Sequence, residues 1–107
     1  VGSTEGGIAM SDIFKRAVSI YGRDMQTVIC IEEMAELTKE LSKCFRGDGN
    51  VVKVAEELAD VQIMLAQIPY VVCVPDEVLE FNEIVSQIKD EKIKRLEQRL
   101  NNEPKEE

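Results

Sequence analysis

Apolar residues recur along most of the chain at alternating steps of three and four, the spacing of a helix covered on one side. Ile13, Phe14, Ala17, Val18 and Tyr21 make the first run, with Ser11 as its N-cap and Gly22 as its stop. Cys30, Met34, Leu37, Leu41 and Cys44 make the second, in a helix capped by Asp24 and running to about Arg46. Gly47-Asp48-Gly49 is a tight turn, and Asn50 can cap a third helix that starts at Val51 and carries Val54, Leu58, Val61, Leu65 and Ile68. Pro69 should kink or end that helix, because proline brings no N–H to the ladder and clashes with the preceding turn. A last helix begins near Pro75-Asp76 and runs to about Leu100. The pattern predicts an all-α protein, a four-helix bundle with short turns around a central antiparallel hairpin. Residues 1–10, rich in Gly and Ser and without periodicity, read as a flexible leader that need not be native. Residues 11–100 read as one helical domain and 101–107 as a polar tail.

A short echo inside this pattern carries the candidate chemistry. Glu32-Glu33-Met34-Ala35-Glu36-Leu37 in the second helix is answered by Glu56-Glu57-Leu58-Ala59-Asp60-Val61 in the third. Glu33 and Glu36 lie on one flank of their apolar stripe, and Glu57 and Asp60 lie on the same flank of theirs. Folded as an antiparallel hairpin, the two helices are related by a twofold axis that keeps equivalent flanks on one side. The two motifs are placed symmetrically about Arg46-Gly47, where the turn falls on independent grounds, so they also come level. The geometry predicts one cluster of Glu33, Glu36, Glu57 and Asp60.

Such a cluster is unfavourable alone, since two like charges 4 Å apart repel by about 4 kcal/mol at an effective dielectric near 20. Either some of the acids stay protonated or a cation compensates them. Oxygen donors without imidazole or thiolate favour a hard ion, Mg²⁺ or Mn²⁺. The bland alternative is a solvated acidic face, the usual fate of paired glutamates on a helix.

Composition narrows the choice further. The 107 residues carry 13 Lys plus Arg against 21 Asp plus Glu, a net charge of -8, which disfavours nucleic acid as a partner. No stretch approaches the roughly 18 apolar residues of a membrane helix. The absence of histidine excludes imidazole bases, Ser-His-Asp triads and His-ligated zinc. Cys30, Cys44 and Cys73 are odd in number, form no C-x-x-C and sit in apolar contexts, so they read as buried reduced thiols of a cytoplasmic protein. A second apolar stripe on the third helix, Val52, Ala55, Ala59, Ile63 and Ala66, points to a partner subunit unless the first and last helices cover it.

The paired motifs resemble the E-E-x-x-E and E-x-x-D signature of MazG-like, all-α nucleoside triphosphate pyrophosphohydrolases. The resemblance runs from about Asp24 to Leu100 and is strongest over residues 31–65. It implies a four-helix fold assembled as a homodimer or homotetramer, dependence on Mg²⁺, and cleavage of a nucleoside triphosphate to monophosphate and pyrophosphate. By matching positions, Glu33, Glu36, Glu57 and Asp60 would be metal ligands, and Glu33 or Glu36 would orient a metal-activated water for attack at the α-phosphorus. Lys53 matches a lysine associated with the family's site, and Lys92-x-x-Arg95 resembles its phosphate-handling motif. Leu96 stands where some members carry a further arginine. The same resemblance allows a phosphoribosyl-ATP pyrophosphatase, and a non-catalytic helical dimerisation or metal-binding module is the alternative of another class. No residue identifies a base: Phe14, Tyr21, Phe45, Tyr70 and Phe81 read equally well as core packing, and Met64 could touch a base or fill an interface.

Overall fold

The computed structural model describes residues 10–104, and among them every regular element is helical. Helix α1 spans Met10–Tyr21, α2 Arg23–Phe45, α3 Val51–Leu65 and α4 Ile68–Val72; a 3-10 turn, Pro75–Glu77, leads into α5, Val78–Asn101. The all-α class expected from the apolar periodicity is present. No single helix among the described residues is long and apolar enough to cross a membrane. Where the sequence reads as one domain over 11–100, the chain groups into two compact units, one ending at Val72 and one starting at Cys73. The first holds α1 to α4, the second the 3-10 turn and α5. Of the leader read at residues 1–10, only Met10 is described, and it opens α1; tail residues 105–107 also lie outside the described residues.

The junctions follow from local chemistry. Gly22 separates α1 from α2 with φ 93° and ψ 152°, backbone that only glycine adopts without strain. Its N–H donates to the Val18 carbonyl at 2.8 Å and its own carbonyl accepts from Gln26 N at 3.1 Å, so one residue closes α1 and opens α2. This corrects the cap expected at Asp24: α2 begins at Arg23, and Asp24 lies in its first turn, where a negative charge meets the positive end of the helix dipole.

The α2–α3 turn is built as expected. Gly47, at φ 91°, donates to the Cys44 carbonyl at 3.1 Å, and Asp48 donates to the Lys43 carbonyl at 3.0 Å, the paired bonds of a Schellman termination. Gly49 lies so close to the end of α2 that a Cβ there would stand 2.5 Å from Cys44 Cα and 2.7 Å from Cys44 N. Asn50 Oδ1 then accepts from Val52 N at 2.9 Å and Lys53 N at 3.2 Å, satisfying two of the free donors at the start of α3. Helix α3 ends at Leu65, before Pro69, and the proline sits in the first turn of α4, where its missing N–H is not needed.

Within the first unit α2 packs along α3, and α4 and α1 both lie against α2. The core is thin. Val18, Cys30, Val61 and Met64 are its buried apolar residues among those described in this unit, and no described side chain is fully enclosed. Two buried amides join them: Gln26 Nε2 donates to Gln67 Oε1 at 2.7 Å, tying α2 to the segment after α3. None of the three cysteines is in a disulfide, as expected, but only Cys30 is buried; Cys73 is half-buried and Cys44, beside the turn, is exposed.

Candidate metal centre

The hairpin does not use the seam that the apolar spacing suggested. On α2 the covered positions include Gln26, Cys30, Glu33, Leu37 and Glu40, and on α3 they include Val54, Glu57, Asp60, Val61 and Met64. The covered face of each helix is displaced from its apolar stripe toward its acidic flank. Met34, Leu41, Leu58 and Leu65 are thereby left 39–51% exposed, and Glu33 and Glu57 move from the flank into the seam, each half-buried.

The consequence is a carboxylate triad. Glu33, Glu57 and Asp60 each offer one oxygen, and the three oxygens lie within 4.8 Å of one another. Glu36 stands outside this group on an exposed face of α2. It remains close enough to matter electrostatically. The Glu33 carboxyl is held above its ordinary range, first by desolvation in the seam and then by the negative charges of Asp60, Glu57, Glu36 and Glu32. The level placement of the two motifs, inferred from their symmetry about the turn, is thus realised for three of the four expected acids.

The donor set suits a hard divalent ion. Ligands on one Mg²⁺ stand about 2.1 Å from the metal and so about 3–4 Å from each other, within a small side-chain adjustment of the spacing here. Carboxylates alone, with no soft donor beside them, match the oxygen preference of Mg²⁺ and Mn²⁺.

Other expected site residues are not brought to this point. Lys53 Nζ pairs with Glu56 Oε1 at 3.6 Å on an exposed face of α3. Lys92 and Arg95 belong to α5 in the second unit, where with Gln98, Arg99 and Asn102 they line a cavity of about 580 Å³.

Two features escaped the sequence reading. Glu40, two turns beyond Glu33 on the same face, is buried, and Lys43 Nζ donates to its Oε2 at 3.4 Å. Its spacing of seven from Glu33 was the available signal. One turn from the triad toward α4 lies an apolar cavity of about 240 Å³, lined by Gln26, Cys30, Met34, Met64, Ile68 and Val72 among others. Met64, which could have faced a base or an interface, is buried on its wall. Gln26 Oε1, also buried, has no hydrogen-bond partner.

Comparison of the chain with protein-family models, with curated proteins and with solved structures gives no match in any of the three.

Proposed function

We propose that the protein is a divalent-metal-dependent hydrolase that splits a nucleoside triphosphate into monophosphate and pyrophosphate. The observation that carries this reading is the convergence of Glu33, Glu57 and Asp60 oxygens within 4.8 Å, on the echoed motifs that resemble MazG-like pyrophosphohydrolases. These three carboxylates, joined by Glu36 as a fourth ligand, would hold Mg²⁺ or Mn²⁺. When bound, the ion supplies the positive charge without which a polyanionic triphosphate does not approach an acidic site. Glu36, exposed beside the triad, orients the attacking water and takes up its proton, with Glu33 as the other candidate for that role. Lys53 neutralises charge on the triphosphate, which requires leaving Glu56, a surface pairing worth under about 1 kcal/mol; the same role for Lys92 and Arg95 rests on the family resemblance alone. The neighbouring apolar cavity supports the reading, because a base needs an apolar wall next to the phosphate site.

A cytoplasmic homodimer or homotetramer belongs to the same proposal. The apolar side chains left exposed on α2 and α3, with Val52 and Ile63 of the second stripe also uncovered, supply surface on which a second hairpin could complete a four-helix bundle.

The test is incubation with a panel of nucleoside triphosphates and Mg²⁺, with pyrophosphate and orthophosphate assayed separately. Pyrophosphate and monophosphate in equal amounts are expected, abolished by chelation and by Glu57→Gln. Orthophosphate as first product overturns attack at the α-phosphorus, and undiminished activity in Glu57→Gln overturns the metal assignment. Mg²⁺ binding without turnover of any nucleotide would instead leave a non-catalytic metal-binding module.

A further inference from the structure

We infer that the apolar cavity beside the triad selects bases with an exocyclic amine, cytosine and adenine, and that Gln26 Oε1 reads the amine. The inference rests on the nucleotide reading proposed for the triad and adds to it the class of base.

It starts from an unpaired atom. Gln26 is 4% exposed, and its Oε1 is buried without a hydrogen-bond partner among the described residues. A buried carbonyl oxygen left unpaired is a cost that folded chains rarely carry unless another group meets it. Gln26 also lines the cavity of about 240 Å³, which lies wholly within the first unit. Its amide is held in one sense. Gln67 Nε2 donates to the Ile63 carbonyl at 3.5 Å and to Met64 Sδ at 3.7 Å, which turns Gln67 Oε1 toward Gln26. Gln26 Nε2 donates to that oxygen at 2.7 Å, so the nitrogen end is engaged and the acceptor end is left over.

The rest of the wall brings no strong donor. Cys30, Met34, Met64, Ile68 and Val72 give it apolar and sulfur surface, and a thiol donates only weakly. Thr27, also on the wall, already donates its hydroxyl to the Arg23 carbonyl at 2.7 Å. The site is thus one strong acceptor in apolar surroundings. Cytosine and adenine present an amino donor where uracil, thymine and guanine present a carbonyl oxygen. The amine satisfies Oε1; a carbonyl in its place sets acceptor against acceptor and leaves both unpaired.

Position and size agree. Gln26 precedes Glu33 by seven residues of α2, about 10 Å along the helix axis. That is close to the reach from a metal-bound α-phosphate, across the ribose, to the far edge of a base. An apolar cavity of about 150 Å³ encloses benzene, so this one has room for the ring of a base.

Isothermal titration of the full chain in Mg²⁺ tests the assignment, using the α,β-methylene analogues of CTP, UTP, ATP and ITP. These resist cleavage at the bond in question and form two near-isosteric pairs, amine against carbonyl. In the wild type the amino member of each pair is expected to bind about tenfold tighter. Gln26→Met removes the acceptor and should bring both ratios close to one. Gln67→Met keeps Gln26 but frees its amide to turn over and present nitrogen, so it should lower the ratios as well. Helical circular dichroism checks that each variant folds, and the Gln67 variant decides the matter where the Gln26 variant does not. Equal binding of each pair by the wild type, a preference for the carbonyl members, or no binding of any analogue overturns the proposal. Ratios unchanged in both variants remove Gln26 from the recognition. Amine-selective binding without cleavage of any natural triphosphate keeps this inference and overturns the catalytic reading; cleavage of CTP and UTP at equal kcat/KM does the reverse.

Discussion

Glu33 concentrates the physics of this protein in one side chain. The residue is half-buried in the seam, and desolvation together with the negative charges of Asp60, Glu57, Glu36 and Glu32 raises its pKa above the ordinary 4.5. A raised carboxylate pKa means that the folded state holds the proton more tightly than the unfolded chain. The associated stability is complete below about pH 4.5 and is lost as pH climbs through the higher folded value. At neutral pH the ionised Glu33 therefore destabilises the metal-free fold. Glu33→Gln should raise the thermal midpoint of chelator-treated protein at pH 7 and leave it nearly unchanged at pH 3.5; a lower midpoint at pH 7 would contradict the electrostatic account. The same substitution should abolish nucleotide cleavage, a gain in stability coupled to a loss of function. Lys53 presents the opposite case. Its exposed pair with Glu56 is worth little, so Lys53→Ala should shift stability by no more than about 0.5 kcal/mol. If Lys53 moves to the triphosphate as proposed, kcat/KM falls by about tenfold or more, a separation that urea melts and steady-state kinetics read together.

At the scale of elements, the turn between α2 and α3 decides whether the two acidic motifs come level. Asn50 was legible in the sequence because a cap is local: one side chain, two N–H groups and three residues of chain. Asn50→Ala should lower stability by about 1 kcal/mol. Gly49 was legible as a turn residue but not for its reason, the close approach to Cys44, which only the folded turn creates. Gly49→Ala forces backbone apart from backbone and should lower stability by about 1–3 kcal/mol, more than loss of the cap. Both are read from urea midpoints at unchanged m-value. The start of α2 was misread for the complementary reason. Asp24 had the right chemistry for a cap, but Gly22, free to adopt φ 93°, let the helix begin two residues earlier. The seam between α2 and α3 was legible only in its general direction. Periodicity gives the direction of an apolar stripe; the final rotation depends on what covers it, and here Cys30, Val61 and Met64 fill the seam while Met34 and Leu58 stay outside.

The whole molecule combines a net charge of -8 with a thin core and an acidic triad, so added Mg²⁺ can act in two ways. Diffuse screening relieves repulsion across the surface, depends on ionic strength alone and is shared by any salt. Site binding depends on the free Mg²⁺ concentration and stabilises by about 2.7 kcal/mol once the ion exceeds its dissociation constant a hundredfold. Melts in MgCl₂ and in NaCl matched for ionic strength separate the two. The excess of the Mg²⁺ curve over the NaCl curve belongs to the site and should disappear in Asp60→Asn, which removes one of the three converging oxygens. Glu36→Gln should reduce that excess only in part, because Glu36 stands outside the converging group and reaches an ion less directly. This ranking, Asp60 above Glu36, was invisible in the sequence, where the echo makes the two equivalent. The fold breaks their equivalence: Asp60 converges with Glu33 and Glu57, and Glu36 is left exposed. If both substitutions leave the Mg²⁺ excess intact, the triad holds no ion and the acids are a solvated face; if Glu36→Gln removes as much as Asp60→Asn, the bound site closes around all four carboxylates.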